Sequence, residues 1–167
     1  MSKKIALVTG ATGGIGFQVA KRLGEDGYTV VLNGIEDDKG AERVEELAAL
    51  GIEAEYYGFD VTNDEAVTEN VKAIGEKYGQ IDAVINNAGG LGGRSPMEEM
   101  TTEFYRSVMA LNLDSAFFVS RAAIPYLKKA TGGSIVNYTS NAAWNAGGPG
   151  AGIYGVSKAA VNTLTRA

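Results

Sequence analysis

The sequence predicts an α/β fold in which a doubly wound parallel sheet lies between two layers of helices. Short apolar runs alternate along the chain with longer segments of helical period, which is the pattern of parallel strands joined by crossover helices. Several of the short runs are apolar throughout, as expected of strands that are covered on both faces. A turn rich in glycine follows the first strand directly and opens the first helix. These observations together indicate a three-layer αβα architecture.

The individual elements follow from the same pattern. The predicted strands span residues 5–8, 29–32, 54–59, 81–85 and 134–138. The predicted helices span residues 15–25, 39–50, 64–78 and 102–129, and a further helix begins near Ile153 and is still running at Ala167. An amphipathic stripe in the first helix predicts the face that packs on the core. Its members are Ile15, Val19, Ala20 and Leu23.

The composition limits the chemistry that the protein can perform. The chain has 167 residues, 45% of them hydrophobic, which is enough for one core of ordinary size, so we expect a single domain over residues 1–167. It contains no cysteine and no histidine. This excludes disulfides, thiol nucleophiles, zinc sites built on those residues and a Ser-His-Asp mechanism. Proton chemistry must therefore use other groups, and we expect no metal.

The charge and the first residues indicate the kind of partner. The net charge of -5 argues against a nucleic-acid binder, because no basic face is available to replace counterions on a phosphate backbone. Small molecules are the expected partners. The apolar run at residues 5–8 is too short for a signal peptide or a bilayer span. We therefore expect a cytoplasmic protein with no membrane partner.

The glycine-rich turn spans residues 9–16, with the sequence TGATGGIG. A tight strand-to-helix turn needs residues that tolerate positive φ, and close approach to a pyrophosphate needs bare backbone. The N-terminus of the following helix offers free N–H groups and a partial positive charge. We therefore predict a phosphate cradle of a dinucleotide site, although a glycine-rich turn without a ligand is the alternative.

Tyr154 and Lys158 lie four residues apart in the last predicted helix, on one face and one turn apart. A nearby cation stabilises a phenolate, so this pair can exchange a proton at neutral pH. The alternative is an ordinary solvated helix face. Ser140, at the end of the fifth strand, and the glycine-rich residues 147–152 that lead to Tyr154 favour the catalytic interpretation.

These motifs together resemble the short-chain dehydrogenase/reductase (SDR) family. The glycine loop is similar to the TGxxxGxG loop of that family, and residues 86–89, with the sequence NNAG, follow the fourth strand as they do in the family. The resemblance covers essentially the whole chain. It implies a Rossmann-type sheet with strand order 3-2-1-4-5 and hydride transfer between a nicotinamide dinucleotide and a carbonyl or secondary alcohol.

The resemblance also implies roles for single residues. Tyr154 would exchange the proton, and Lys158 would stabilise the phenolate and bind the nicotinamide ribose. Ser140 would orient the substrate oxygen. Asn112 would hold a water in the proton relay, or its amide instead ties two helices together. The residues expected to bind the cofactor are Gly10, Thr12, Gly13, Gly14, Ile15, Gly16, Ile35, Asp60, Val61, Asn87, Ala88, Gly89, Tyr154 and Lys158.

The choice between NAD and NADP depends on the end of the second strand. Gly34 stands where the family usually has an acid that binds the adenosine ribose, and Gly13 stands where many members that prefer NADP have a cation. Three acids follow at residues 36–38, so a 2'-phosphate would be poorly neutralised. We therefore expect NAD, with NADP possible because Lys39 could reach back.

Family members are usually longer than this chain, so the resemblance implies that the final strands and the substrate-binding portion are not included. The fifth strand would then be an open edge. Three explanations compete: a fragment of a longer product, a sheet completed by a second chain, and a nucleotide-binding remnant without turnover. A dinucleotide-binding module without catalysis and a purely structural domain thus stand as alternatives to the enzyme.

The substrate and the assembly are less defined. The Asn33-Gly34 strand end is similar to the corresponding strand end of hydroxybutyrate dehydrogenases. The general pattern of motifs is equally similar to that of 3-oxoacyl-carrier-protein reductases and of sugar-alcohol dehydrogenases. In the family, helices corresponding to residues 102–129 and to the Tyr154 segment commonly form a subunit interface. Small apolar residues in both segments would permit close packing between subunits. We therefore expect a homo-oligomer.

Overall fold

The structure, a computed structural model that describes residues 3–167, contains a five-stranded sheet. Met1 and Ser2, which belong to the predicted domain, lie outside the described residues. The strands are β1 (Lys4–Val8), β2 (Tyr28–Gly34), β3 (Ala54–Gly58), β4 (Ala83–Asn86) and β5 (Ser134–Asn137). They pair in parallel in the order β3-β2-β1-β4-β5. This order confirms the predicted doubly wound αβα fold.

The helices lie in the crossover connections between the strands. In the described residues they are α1 (Gly14–Glu25), α2 (Asp37–Ala49), α3 (Asp64–Tyr78), α4 (Thr102–Met109), α5 (Ser115–Leu127), α6 (Ala142–Asn145) and α7 (Gly152–Leu164). A 3-10 turn at Met97–Glu99 precedes α4, and a π-helical turn at Ala110–Asp114 separates α4 from α5. The short α6 and the 3-10 turn were not predicted.

The core forms two layers because neighbouring side chains on a strand point to opposite faces. From β1, Ile5 and Leu7 pack among apolar residues of α3 and α5. Ala6 and Val8 pack on the other face, against apolar residues of α1 and α2. Since the strands are parallel, all of their carboxyl ends meet at one edge of the sheet. This edge receives the loops that carry the sequence motifs.

The structure divides the predicted helix over residues 102–129 into two. Asn112, in the π-helical turn, donates from Nδ2 to the carbonyl of Val108 at 2.9 Å and to that of Gly90 at 2.8 Å. An amide side chain that bonds to the backbone of its own helix and to a neighbouring loop favours a local change in helical winding. The apolar periodicity continues through this turn, so the sequence did not predict the break between the two helices.

The prediction for the buried face of α1 is partly wrong. Ile15 is 63% exposed, whereas Gly16, Phe17 and Ala20 make the contact with the core. The glycine loop fixes the rotation of the helix, and it places Gly16 rather than Ile15 against Gly10 and Asn87. Val19 and Leu23, the other members of the stripe, are half-buried.

Two further expectations concern the last elements. Helix α7 ends at Leu164 rather than continuing to Ala167, because the N–H groups of Arg166 and Ala167 donate to carbonyls three residues back instead of four. Strand β5 is an open edge, as predicted, and its Val136 is half exposed. Within residues 3–167, none of the helices has the length and apolar character needed to span a bilayer.

Candidate active site

The glycine loop turns sharply at the carboxyl end of β1. Gly10 and Gly14 have φ values of 60° and 54°, in the left-handed region that favours glycine. A Cβ added to Gly16 would lie 2.4 Å from the carbonyl oxygen of Gly10, so only glycine fits there. Added Cβ atoms at Gly13 and Gly14 would meet nothing within 4 Å. The start of α1 therefore presents bare backbone to open space.

The loop after β4 braces the glycine loop. Asn87 donates from Nδ2 to the carbonyl oxygens of Thr9, at 2.9 Å, and Gly10, at 3.1 Å. The hydroxyl of Thr9 in turn accepts from the backbone N–H groups of Asn87, at 3.1 Å, and Ala88, at 3.0 Å. The two motifs that the sequence predicts to bind the cofactor thus form one hydrogen-bonded unit. The side chain of Asn87 has a structural role within that unit.

Asn33 is a site residue that the sequence analysis missed as such. It is 1% exposed at the end of β2. Its Oδ1 accepts from the N–H of Gly10 at 3.4 Å, and its Nδ2 donates to the carbonyl of Phe59 at 2.9 Å. The side chain therefore ties the ends of three neighbouring strands together. The available signal was a polar residue that closes an otherwise apolar strand, since such a group needs partners when it is buried.

A cavity of about 240 Å³ opens at this edge of the sheet. It brings together most of the residues expected to bind the cofactor. Its lining includes Gly10, Thr12, Asn33, Gly34, Ile35, Asp60, Val61, Asn87, Ala88 and Gly89. A Cβ added to Gly34 would lie 2.4 Å from Cγ2 of Thr12. The acid that the family usually has at this position would therefore require the Thr12 side chain to move.

A second cavity, of about 370 Å³, joins the glycine loop to α7. Its lining includes Gly13 and Ile15 of the glycine loop, Gly89 of the loop after β4, and Tyr154 and Lys158 of α7. Residues that lie about 140 positions apart in the sequence thus face one cleft. The predicted proton-exchanging pair and the predicted phosphate cradle are therefore within one continuous site.

Lys158 is held firmly next to Tyr154. It is 4% exposed, and its Nζ donates to the carbonyl of Tyr138 at 2.8 Å. Nζ also lies 5.9 Å from the centre of the Tyr154 ring. Burial lowers the pKa of Lys158 because it disfavours the charged form. As the pH rises, this ammonium consequently loses its proton earlier than that of an ordinary lysine.

Ser140 follows β5 and begins the segment that contains α6. Its Oγ accepts from the N–H of Ala142 at 3.1 Å, a contact that leaves the hydroxyl hydrogen available to another acceptor. The cleft is lined by the preceding residues Tyr138 and Thr139. Ser140 is therefore adjacent to the cleft in the chain but is not part of the lining.

Asn112 is buried directly behind Gly89 of the cleft lining, and both hydrogens of its amide are engaged. Besides its two donated bonds, its Oδ1 accepts from the N–H of Gly90 at 3.0 Å. The side chain thus ties the π-helical turn to the loop after β4. This resembles the alternative structural interpretation, except that it joins a helix to a loop rather than two helices. The water-binding role of Asn112 stays a prediction.

The glycine-rich loop before Tyr154 is fastened by a residue that the sequence did not indicate. Arg94 donates from Nη1 to the carbonyl of Pro149 at 2.7 Å and to that of Gly147 at 3.3 Å. The N–H of Ser95 donates to the carbonyl of Gly150 at 3.0 Å. The loop after β4 therefore holds the approach to α7 in place.

The comparisons with known proteins agree with this geometry. The family model described as short chain dehydrogenase matches residues 4–167. The chain belongs to the short-chain dehydrogenase family. Its fold and its motifs are thus those of the SDR family of oxidoreductases, as the sequence predicted.

Among curated SDR relatives, 3beta-hydroxysteroid dehydrogenase of Mediterraneibacter gnavus is 41% identical over 165 residues, which cover 99% of this chain and 59% of the relative. Gluconate 5-dehydrogenase of Gluconobacter oxydans is 38% identical over 161 residues, which cover 96% of this chain and 62% of the relative. The chain thus spans about three fifths of the length of these relatives.

Solved SDR structures resemble the whole described fold. The NADH-dependent reductase A1-R', in its complex with NAD, has a TM-score of 0.92 at 36% identity over 99% of this chain and 71% of that chain. A metagenomic short-chain oxidoreductase in complex with NADP has a TM-score of 0.91 at 31% identity, covering 98% of this chain and 74% of that chain. Relatives with either cofactor therefore share this fold.

Proposed function

We propose that this SDR chain is the dinucleotide-binding and catalytic portion of an NAD(P)-dependent oxidoreductase that interconverts a carbonyl and a secondary alcohol. Residues 1–167 would form one Rossmann domain for this purpose. One observation carries the proposal: a buried lysine is fixed beside Tyr154 in a cleft shared with the glycine loop. A solvated helix face, the ordinary alternative, would leave Lys158 exposed, whereas it is 4% exposed.

The residues of the cleft fit a nicotinamide dinucleotide. Gly13 and Gly14 leave open space at the start of α1, where backbone N–H groups attract phosphate. Asp60 and Val61 line the adjoining cavity, where the adenine would lie. Tyr154 and Lys158 would contact the nicotinamide ribose. The bound cofactor supplies or accepts the hydride, and the chain supplies position and a proton.

The proton would be exchanged at the phenolic oxygen of Tyr154. The ammonium of Lys158, fixed by the carbonyl of Tyr138, stabilises negative charge on that oxygen. Ser140 would donate its free hydroxyl hydrogen to the substrate oxygen and orient it. Asn112 would support the relay from behind, by holding the loop at Gly90.

We propose NAD as the preferred cofactor. Lys39, the cation that could answer a 2'-phosphate, pairs instead with Glu36 at 2.7 Å. The carboxylates of Asp37 and Asp38 stand in the same first turn of α2. A dianionic phosphate at this end of the cleft would therefore meet more negative than positive charge.

The substrate class and the assembly are proposals of the same kind. Relatives named for hydroxysteroid and gluconate oxidation support a small molecule with a secondary alcohol or its ketone. A cytoplasmic location is proposed from the sequence alone, and a homo-oligomer is proposed because α5 and α7 leave large apolar side chains half exposed. These are Phe117, Ile124 and Val156.

Turnover by the purified chain tests the proposal. NADH oxidation is followed by absorbance with cyclic, steroidal and sugar-derived ketones. Lys158→Met is expected to lower kcat about a hundredfold or more, because the support of the phenolate is lost. Lys72→Met, which removes an exposed lysine of α3, is the matched control and is expected to retain full activity.

The possible outcomes separate the alternatives. Ketone-dependent NADH oxidation that survives in Lys72→Met and is lost in Lys158→Met supports the oxidoreductase. NADH binding without turnover on any ketone would favour the dinucleotide-binding module without catalysis. Equal activity of the two variants would contradict the role given to Lys158.

A further inference from the structure

The peptide between Thr12 and Gly13 lies in the middle of the glycine loop. Gly13 is extended, with φ -172° and ψ -175°, and Gly14 has φ 54°. Gly13 has no side chain that would oppose rotation of this peptide from its carboxyl side. In a planar trans peptide the carbonyl of one residue and the N–H of the next point in opposite directions. The direction of the Thr12 carbonyl therefore sets the direction of the Gly13 N–H.

Arg43 of α2 holds that carbonyl from outside the cleft. Its Nε donates to the carbonyl oxygen of Thr12 at 3.1 Å. The guanidinium lies over the ring of Phe17, 4.8 Å from its centre, and pairs with Glu46 on the next turn of α2. An arginine with a stacked face and an anchored edge keeps its donors in fixed directions. The carbonyl of Thr12 is consequently turned toward α2.

The N–H of Gly13 is then turned away from α2. Gly13 lines the cleft that contains Tyr154 and Lys158, whereas Arg43 is not part of that lining. The contact with Arg43 thus favours the peptide orientation in which the loop offers a hydrogen-bond donor on the side opposite α2. The opposite orientation would direct a carbonyl oxygen there, which repels the phosphates or ribose oxygens of a dinucleotide.

We infer that Arg43 is a positioning residue for cofactor binding, which locks the Thr12–Gly13 peptide in the orientation that accepts a dinucleotide. This inference rests on the proposed dinucleotide site. Arg43 does not touch the reacting atoms, so it acts on cofactor affinity and not on the chemical step. A residue that merely packed α2 on α1 would affect unfolding without a selective effect on the cofactor.

The test compares Arg43→Met with Arg22→Met. Arg22 is an exposed arginine of α1 that also forms an ion pair with a nearby carboxylate, that of Asp26 at 2.8 Å. Unlike Arg43, it forms no hydrogen bond with the glycine loop. Fluorescence titration measures the affinity for NADH, and steady-state kinetics at saturating NADH measure kcat. Thermal unfolding measures whether each variant is folded. Arg43→Met is expected to raise the Kd for NADH about tenfold, because one charge-assisted hydrogen bond to the loop is lost. We expect kcat to stay unchanged. Arg22→Met is expected to change neither.

Arg43→Lys provides a second variant, because lysine can reach the carbonyl but cannot stack as a plane. It is expected to raise the Kd about threefold, between wild type and Arg43→Met. If Arg43→Met does not fold, an unchanged Kd in Arg43→Lys overturns the inference. An unchanged Kd in folded Arg43→Met, or an equal loss in Arg22→Met, also overturns it while leaving the proposed function intact. Absence of NADH binding in the wild type would overturn both.

Discussion

Tyr154→Phe is expected to lower kcat for ketone reduction about a thousandfold while the Kd for NADH stays within about twofold of wild type. Phenylalanine keeps the ring that lies 5.9 Å from Nζ of Lys158 and removes only the hydroxyl. The proton donor is therefore lost, whereas the shape of the cleft is retained. Steady-state kinetics and a fluorescence titration on the same sample measure the two quantities.

Tyr28→Phe is the matched control for this variant. Tyr28 is the first residue of β2, so it lies at the amino ends of the parallel strands, whereas the cleft lies at their carboxyl ends. Removal of its hydroxyl should therefore leave kcat unchanged. A Tyr154→Phe enzyme that retained half of the wild-type kcat would contradict the assignment of the proton to Tyr154. Equal losses in the two variants would indicate a general effect of tyrosine replacement.

Gly16→Ala is expected to destabilise the fold by about 2 kcal/mol and to weaken NADH binding at least about tenfold. The added Cβ would lie 2.4 Å from the carbonyl oxygen of Gly10 and 2.5 Å from Nδ2 of Asn87. Both neighbours belong to the brace that joins the glycine loop to the loop after β4. Displacement of this brace would therefore disturb the phosphate cradle as well as the packing. Urea unfolding and an NADH titration measure the two effects.

Gly90→Ala is the control for the stability effect. A Cβ added there would meet nothing within 4 Å, so the free energy of unfolding should change little. Two similar free energies of unfolding for Gly16→Ala and Gly90→Ala would contradict the close approach described for the loop.

Local signals predicted the elements whose ends are set by nearby residues. Helix α3 has the predicted bounds because Asn63 accepts from the N–H of Ala66 at 3.1 Å and Gly79 ends the helix with φ 81°. Strand β2 extends to Gly34, beyond its predicted end at residue 32, because the polar side chain of Asn33 is buried with hydrogen-bond partners. Its burial depends on Phe59 and Gly10, which are distant in the sequence.

The sequence predicted those parts of the site in which the functional residues come directly after a strand. The loops after β1 and β4 meet because parallel strands bring their carboxyl ends to one edge, and both motifs stand directly after strands. The residues that hold those motifs were not predictable in this way. Arg43 and Arg94 act through backbone carbonyls of distant loops, and a carbonyl leaves no sequence signal.

The exposed Ile15 and the π-helical turn have the same explanation. Periodicity identifies an apolar stripe, but the rotation of α1 is set by the contact of Gly16 with Gly10 and Asn87. The winding at residues 110–114 depends on the bonds of Asn112 to Gly90, across the chain. Contacts that override local periodicity are concentrated around the cleft.

The central claim is that the glycine loop and the Tyr154 helix of this SDR chain form one dinucleotide site, and a titration with NADH and NADPH tests it most directly. Nicotinamide fluorescence of the purified 167-residue chain is followed at increasing cofactor concentration. The account predicts saturable binding of NADH, tighter than that of NADPH. No saturable change with either cofactor would contradict the claim, because the residues that line the cleft would then fail to form the site.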